Sequence, residues 1–157
     1  MNTLTRHNTV VNDNAVVDVA ESKVLIATTS DIVSARQYGR KLAEVNHFTK
    51  SQQTRFATAI SELTRNVLTY AVQGECLFSV TRSTRQVIVT AIVVDHGPGI
   101  TNIELALQDG FSGGDGLGLG LPGAKRLVDL FAIESEPGLT SVQISIVRQS
   151  VLKRHQS

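Results

Sequence analysis

Helical and strand patterns are grouped along this chain instead of alternating. Two helix patterns adjoin in the first half, over residues 30 to about 45 and 49 to about 70, and short apolar runs typical of strands fill much of the second half. Grouping of this kind is typical of folds in which helices pack together on one face of a mixed or antiparallel sheet. The order therefore predicts an α+β fold, a two-layer sandwich, in a chain of 157 residues.

The expected helices begin at residues that suit N-caps. Ser30 is the predicted cap of the first helix, and Thr49 with Gln52 matches a capping box for the second. Thr101 with Glu104 predicts a third, short helix in the same way, and a fourth is expected over residues 121 to about 130. In the second helix, apolar residues at helical spacing should face the core: Phe56, Ile60, Leu63, Val67 and Tyr70.

Strands are expected on both sides of the first two helices. Residues 23–27 form one, residues 76–81 and 86–94 form an antiparallel hairpin, and residues 131–134 and 141–147 form two more around Pro137 and Gly138. Residues 1–20 show no sustained period and are expected to be a flexible arm, although their valines could add an edge strand. The domain is assigned to residues 21–148 and a tail to residues 149–157.

Composition excludes several classes of protein. The formal charge of +1 gives no electrostatic footprint for a nucleic acid, and charged or polar residues interrupt every apolar run before it could span a bilayer. The start of the chain lacks the pattern of a secretory signal, and the single cysteine, Cys76, cannot form an internal disulfide. We therefore expect a cytoplasmic protein with no nucleic-acid or membrane partner.

Glu62 and Asn66 are the first candidate site residues. A spacing of four puts both side chains on one face of the second helix, one turn apart. The amide oxygen of an asparagine can hold a hard cation while a neighbouring carboxylate orients or deprotonates a hydroxyl. Taken alone, a solvent-facing helix surface is the simpler interpretation of this pair.

Two glycine-containing segments follow. Asp95 ends an apolar strand and is followed by Gly97 and Gly99; this arrangement suits an acid that accepts a hydrogen bond from an exocyclic amine, or equally an ordinary strand-to-helix turn. The second segment leads into the fourth helix, where exposed N–H groups beside a helix start form an anion site or simply a flexible surface loop; its alternating glycines are Gly116, Gly118 and Gly120. No strand precedes this segment, and no Lys-Ser/Thr pair follows it, so dinucleotide-fingerprint and Walker A interpretations both fail.

Taken in order, the three features resemble the N, G1 and G2 boxes of the GHKL (Bergerat-fold) superfamily of ATP-binding domains. Within that superfamily the chain is most similar to the RsbT family of stressosome partner-switching kinases and to anti-sigma-factor kinases. The resemblance covers residues 24–147, and its further motifs are SDIVSARQ at 30–37, AISELTRN at 59–66, DGFS at 109–112 and GLPG at 120–123.

The resemblance implies a role for each matching residue. Glu62 would be the catalytic base, Asn66 would hold Mg²⁺, and Asp95 would bind the amine of adenine. The glycines would shape the base pocket (Gly97 and Gly99) and cover the phosphates (Gly116, Gly118 and Gly120). Thr140, near the start of the last strand, is similar to the family's threonine beside the adenine.

The implied function is that of a Mg-ATP-dependent serine/threonine protein kinase. It would act as a partner switch in bacterial stress signalling, phosphorylating a STAS-domain antagonist, with a downstream phosphatase or regulator as a further partner. The alternative is a nucleotide-responsive anti-sigma or phosphatase-activating protein that transfers little phosphate; Glu62 favours the kinase, because a pure binder needs no carboxylate there. A dinucleotide-binding fragment of a dehydrogenase is a third hypothesis.

Overall fold

All strands in the described part of the chain lie in one antiparallel sheet. The computed structural model describes residues 5–11, 15–108 and 120–150, with side chains over 22–108 and 120–150. The strands are β1 (Thr5–Val11), β2 (Ala15–Ile26), β3 (Gly74–Arg82), β4 (Gln86–Asp95), β5 (Leu130–Glu136) and β6 (Leu139–Gln149), and the helices are α1 (Thr29–Val45), α2 (Lys50–Tyr70), α3 (Ile103–Ala106) and α4 (Gly120–Leu127). The sheet order is β1-β2-β3-β4-β6-β5. The predicted α+β fold is confirmed, and the absence of parallel pairs in the described chain contradicts the dinucleotide-binding unit, which requires parallel strands.

The core lies between the sheet and the two long helices. On β3, burial alternates, with Cys76, Phe78 and Val80 buried on the face that meets the helices. These side chains join one apolar cluster with the predicted core positions of α2, which are Phe56, Ile60, Leu63 and Val67. Burial raises the pKa of the Cys76 thiol well above its ordinary value. No helix in the described ranges is long and apolar enough to cross a bilayer.

Tyr70 is the exception to the predicted core face of α2, because its side chain is 50% exposed. It is the last residue of the helix, where α2 runs past the core and its ring meets solvent. At the other end of α2, the predicted capping box is confirmed. Thr49 accepts a hydrogen bond from the Gln52 N–H, and the Gln52 side chain accepts one from the Thr49 N–H.

The N-cap of α1 is Thr28, not the predicted Ser30. Thr28 accepts a hydrogen bond from the Asp31 N–H, and the Asp31 carboxylate accepts hydrogen bonds from the N–H groups of Ala27 and Thr28. Ser30 has Val33 three residues later, so it could form no reciprocal pair. Hydrogen bonds from the backbone N–H groups of Ala27 and Thr28 lower the pKa of Asp31.

The later helices also begin or end at residues other than those predicted. Asn102, and not the predicted Thr101, caps α3, because its side-chain oxygen accepts the Leu105 N–H. Helix α4 ends at Leu127 instead of about residue 130, since the chain enters β5 at Leu130. Pro122 lies in the first turn of α4, as expected from its missing N–H.

The N-terminal residues, whose valines left an edge strand open, lie in strands over residues 5–11 and 15–20. Strands β1 and β2 pair along their whole facing length, from Thr5 opposite Glu21 to Val11 opposite Ala15. Strand β2 then continues along β3, with Ala20 opposite Val80. The β1–β2 pairing is local, whereas the pairing of Ala20–Ile26 with β3 joins segments about 50–60 residues apart in the chain.

Close packing of α1 on α2 depends on Gly39. A Cβ atom at this position would lie 2.2 Å from Cδ1 of Ile60 and 3.2 Å from Cε1 of Phe78, both buried. We expect Gly39→Val to lower the free energy of unfolding by about 1–3 kcal/mol, because the added methyl groups overpack the core. Denaturant unfolding followed by circular dichroism measures the change. Gln37→Val, an exposed position on the same helix, is the matched control, and equal losses in both variants would contradict the packing argument.

Candidate active site

Three polar side chains form a row across the end of the sheet. Asp95 at the end of β4 lies directly opposite Thr140 of β6, and Thr140 lies directly opposite Ser135 of β5. Residues directly opposite each other project from the same face of a sheet. The row therefore lies on the face that α2 covers, since Val93, two residues before Asp95, belongs to the core on that face.

Gly74 continues the row on the other side of Asp95, where the packing is close. It is the first residue of β3 and pairs with Asp95. A Cβ atom on Gly74 would lie 2.3 Å from the Val94 carbonyl oxygen and 2.8 Å from Cγ1 of Val67, so only glycine fits. The contact with Val67 also places the C-terminal part of α2 beside this row.

Asp95 is partly buried, and one of its carboxylate oxygens accepts a hydrogen bond within the turn that follows it. Its Oδ1 accepts a hydrogen bond of 2.9 Å from the Gly97 N–H. Such an Asx turn fixes the carboxylate relative to the backbone. Its other oxygen accepts no hydrogen bond from the described part of the chain, so it can accept one from a ligand.

The turn after Asp95 is held between α2 and β5, which explains both of its glycines. A Cβ atom on Gly97 would lie 2.7 Å from Cβ of Ala71, at the end of α2. Gly99 has φ +82°, and a Cβ atom there would lie 2.5 Å from the Glu136 carbonyl oxygen. Both glycines are thus explained by close packing of the turn within the protein.

A chain of hydrogen bonds links this turn to Thr140. The Ile100 N–H donates to Oγ of Ser135 at 2.8 Å, and Oγ of Ser135 lies 2.7 Å from Oγ1 of Thr140. Thr140 is 7% exposed. Ser135 was not identified from the sequence, but the tight turn at Pro137 and Gly138 fixes the β5–β6 register and is the signal that could have found it.

Glu62 and Asn66 lie on α2, one turn apart as expected. Oε1 of Glu62 accepts a hydrogen bond of 3.0 Å from Nη1 of Arg65, and the side chains are 13% and 53% exposed, respectively. Asn66 is partly buried, and its carboxamide makes no hydrogen bond with any described residue. Its neighbour Val67 reaches the Gly74 end of the row, so Asn66 lies on the helix segment closest to the row.

The glycines of the expected phosphate lid are only partly described. Gly116 and Gly118 lie outside the described residues, whereas Gly120 is the first residue of α4 and has φ +57°. Leu121 and Ala124 of α4 are buried in the core cluster. Over the described ranges, no three His, Cys, Asp or Glu side chains cluster closely enough to hold a metal ion by themselves.

Comparison with known proteins identifies the family of this chain. Residues 51–150 match the family described as histidine kinase-, DNA gyrase B- and HSP90-like ATPases. The chain belongs to this ATPase family. It is also 44% identical over 118 residues to the serine/threonine-protein kinase RsbT of Bacillus subtilis (strain 168), which covers 75% of this chain and 89% of that protein. The predicted GHKL family and the predicted enzyme class, a serine/threonine protein kinase of the RsbT family, are thereby confirmed.

A solved structure supports the fold of this ATPase family member. The RsbU and RsbW domains of a Mycobacterium tuberculosis protein superpose with a TM-score of 0.56 at 20% sequence identity. The match covers 87% of this chain and 34% of that one, so the present chain spans about a third of the solved protein. This likeness shows the fold alone. The predicted use of ATP is supported by the match to the ATPase family.

Proposed function

We propose that this protein transfers the γ-phosphoryl group of Mg-ATP to a serine or threonine of a STAS-domain partner, as a partner switch in bacterial stress signalling. The observation that carries the proposal is the position of Asp95 and Thr140 in one row beside the helix that bears Glu62 and Asn66. This arrangement supports a purine-binding edge and a base-bearing helix on the same side of the sheet. The expected setting is the cytoplasm, with a downstream phosphatase or regulator as a further partner.

The donor and acceptor groups of the row fit an adenine. The uncommitted oxygen of Asp95 accepts a hydrogen bond from the exocyclic amine. Gly97 and Gly99 keep the turn free of side chains, so the flat ring can lie against the backbone. Thr140 contributes a hydroxyl directly beside Asp95. The purine therefore binds at the sheet end, and its phosphates extend along α2.

The phosphate side combines a lid with one metal-binding amide. Backbone N–H groups of Gly116, Gly118 and Gly120 would cover the phosphates beside the start of α4. The oxygen of the Asn66 carboxamide would hold Mg²⁺ together with phosphate oxygens, because Mg²⁺ sites of this kind take few protein ligands. Bound Mg²⁺ supplies neutralisation of the charge that develops on the transferred group.

Glu62 acts on the incoming hydroxyl. Its carboxylate accepts the proton of the partner's hydroxyl as that oxygen bonds to the γ-phosphorus and the bond to ADP breaks. The ion pair with Arg65 holds the carboxylate through one oxygen and leaves the other for the hydroxyl. A protein that only bound nucleotide would need no carboxylate at this position, and this favours the kinase over the nucleotide-responsive binding protein.

The proposal is tested by incubating the protein with labelled ATP, Mg²⁺ and each STAS-domain protein from the same genome. We expect slow ATP hydrolysis by the protein alone, because a closed lid shields the phosphates from water, and rapid transfer when the partner is added. Phosphopeptide mapping should find an acid-stable, alkali-labile phosphoserine or phosphothreonine. Phosphate on histidine would contradict the proposal, and so would rapid hydrolysis without transfer to any partner. Nucleotide-dependent complex formation without transfer would favour the alternative binding function.

A further inference from the structure

Glu62 lies between two flanks of α2 that have different neighbours. An α-helix turns by about 100° per residue, so Asn66, four residues after Glu62, lies to one side of it, and Arg65, three residues after it, lies to the other. Thr54, eight residues before Glu62, lies on the Arg65 side. Its Oγ1 accepts a hydrogen bond of 3.2 Å from Nη2 of Arg40 on α1. The Arg65 flank of α2 therefore faces α1, and the nucleotide of the proposed function would lie on the other flank, beside Asn66.

The groove between α1 and α2 carries arginines on both of its sides. On α1 these are Arg36 and Arg40, which are one helical turn apart and exposed. On α2 the groove carries Arg65. The two helices are joined by the short turn of residues 46–49 and run antiparallel, so Arg36 lies one turn nearer to Glu62 than Arg40 does. Three guanidinium groups therefore line the approach to Glu62 from this side.

In α1 and α2, both described in full, the two acids besides Glu62 already have partners. Asp31 accepts hydrogen bonds from backbone N–H groups at the start of α1. Glu44 lies one turn farther from Glu62 than Arg40 does, and it forms an ion pair of 3.3 Å with Lys41. The groove between the helices therefore carries excess positive charge. An acidic segment is the occupant whose charge complements it.

Arg65 is the arginine nearest to the proposed base, and it keeps donors for a second carboxylate. Its Nη1 donates a hydrogen bond of 3.0 Å to Oε1 of Glu62, and it makes no other hydrogen bond within the described part of the chain. A guanidinium has five N–H donors in a planar fork, so most of them remain available on this half-exposed side chain. The acceptor oxygen must approach the γ-phosphorus in line with the bond to ADP that breaks. With the nucleotide beside Asn66, the acceptor segment therefore reaches Glu62 across the Arg65 flank.

We propose that the groove between α1 and α2 binds an acidic segment of the protein acceptor, and that Arg65 pairs with a carboxylate beside the phosphorylated hydroxyl. This inference rests on the proposed kinase function. It makes Arg65 a specificity-determining residue. An acceptor with a carboxylate at this place gains a charge-assisted hydrogen bond, whereas a basic segment meets like charges along the groove. Because an extended chain spans about 3.3 Å per residue, the carboxylate is expected within about two residues of the acceptor serine or threonine.

The test measures phosphoryl transfer from labelled ATP at increasing concentrations of the STAS-domain acceptor that the labelled-ATP assay identifies. We expect Arg65→Met to raise the KM for the acceptor about tenfold, the equivalent of one charge-assisted hydrogen bond. The kcat and the KM for ATP should change little, because the lost contact is made to the acceptor before and during transfer alike. Arg65→Lys keeps the charge and should show a smaller rise. Calorimetry with ADP, at wild-type affinity, shows that each variant is folded.

The matched control is Lys23→Met. It breaks an ion pair of the same length, 3.0 Å between Nζ of Lys23 and Oε2 of Glu75, on the sheet face opposite to the helices. It also removes one positive charge from the protein, as Arg65→Met does. This variant should keep the wild-type KM for the acceptor. An equal rise in both variants would show that net charge, and not the groove, sets the affinity, and it would overturn the inference.

A double-mutant cycle identifies the partner of Arg65. Replacing the acceptor carboxylate nearest to the mapped phosphorylation site by its amide should raise the KM about tenfold with the wild-type kinase, and should raise it no further with Arg65→Met. Additive rises overturn the inference, as does a mapped site with no carboxylate within about two residues. A fall in kcat alone in Arg65→Met would assign Arg65 to holding Glu62, and a rise in the KM for ATP alone would assign it to the phosphates; each result overturns the inference and leaves the kinase in place. A wild-type protein that transfers phosphate to no acceptor would instead overturn the proposed function, and the inference with it.

Discussion

Replacing Glu62 by glutamine is expected to slow phosphoryl transfer to the partner by about 10²–10⁴-fold, the usual effect of removing a general base. The affinity for ADP should change little, because the base acts on the incoming hydroxyl and not on the bound nucleotide. Single-turnover transfer from labelled ATP gives the rate, and calorimetry gives the affinity. Equal losses of binding and turnover would indicate a structural role for Glu62.

The control for this variant is Arg65→Met. Glu62→Gln removes the carboxylate and also weakens the ion pair with Arg65, whereas Arg65→Met breaks the same ion pair and keeps the carboxylate. Because Arg65 is half-exposed to solvent, this pair contributes at most about 1 kcal/mol to stability, so both proteins should remain folded. If Arg65→Met slows transfer as much as Glu62→Gln does, the ion pair and not the base explains the effect.

Replacing Asp95 by asparagine is expected to weaken ADP binding by about ten- to a hundredfold. The amide keeps an oxygen for the Gly97 N–H but presents an NH₂ group where the carboxylate would accept the adenine amine. Loss of one charge-assisted hydrogen bond costs about 1.5–3 kcal/mol, which corresponds to this change in affinity. Calorimetric titration with ADP measures it, after circular dichroism has shown that the variant is folded.

Asp129→Asn provides the comparison for Asp95→Asn. Oδ2 of Asp129 also accepts a backbone hydrogen bond, of 2.8 Å from the Val147 N–H, but Asp129 lies outside the row. Its asparagine variant should bind ADP as the wild type does. A folded Asp95→Asn protein with unchanged ADP affinity would show that Asp95 does not hold the base.

Features that depend on neighbouring residues were predictable from the sequence, and features that depend on distant ones were not. The Thr49–Gln52 capping box and the β3–β4 hairpin are local, and both are confirmed. The N-cap of α1 was predicted at the wrong residue. Thr28 displaces Ser30 as the cap of α1 because only Thr28 is followed three residues later by an acid that can reach back. The pairing of Ala20–Ile26 with β3 joins segments that are distant in the chain, and no local pattern reveals it.

The candidate site also combines local features, which were predictable from the sequence, with nonlocal features, which were not. The Glu62–Asn66 spacing and the glycines after Asp95 are recognisable in the sequence because helix geometry and turn chemistry set them. The position of Thr140 beside Asp95 follows from a strand register 45 residues apart in the chain, so the sequence offered only a resemblance. Ser135, whose hydroxyl oxygen lies 2.7 Å from that of Thr140, could have been found only through the β5–β6 register.

The reactivity of the buried cysteine of β3 can be used to measure local opening of the core. Cys76 is the single cysteine of the chain, it is 0% exposed, and its thiol resists ionisation. A thiol reagent can therefore modify it only while the centre of the sheet is transiently separated from α2. The modification rate then measures how often that separation occurs. Because ligand binding lowers the population of opened molecules in proportion to its saturation, nucleotides that bind should slow the chemistry in order of their affinity, without any label being introduced.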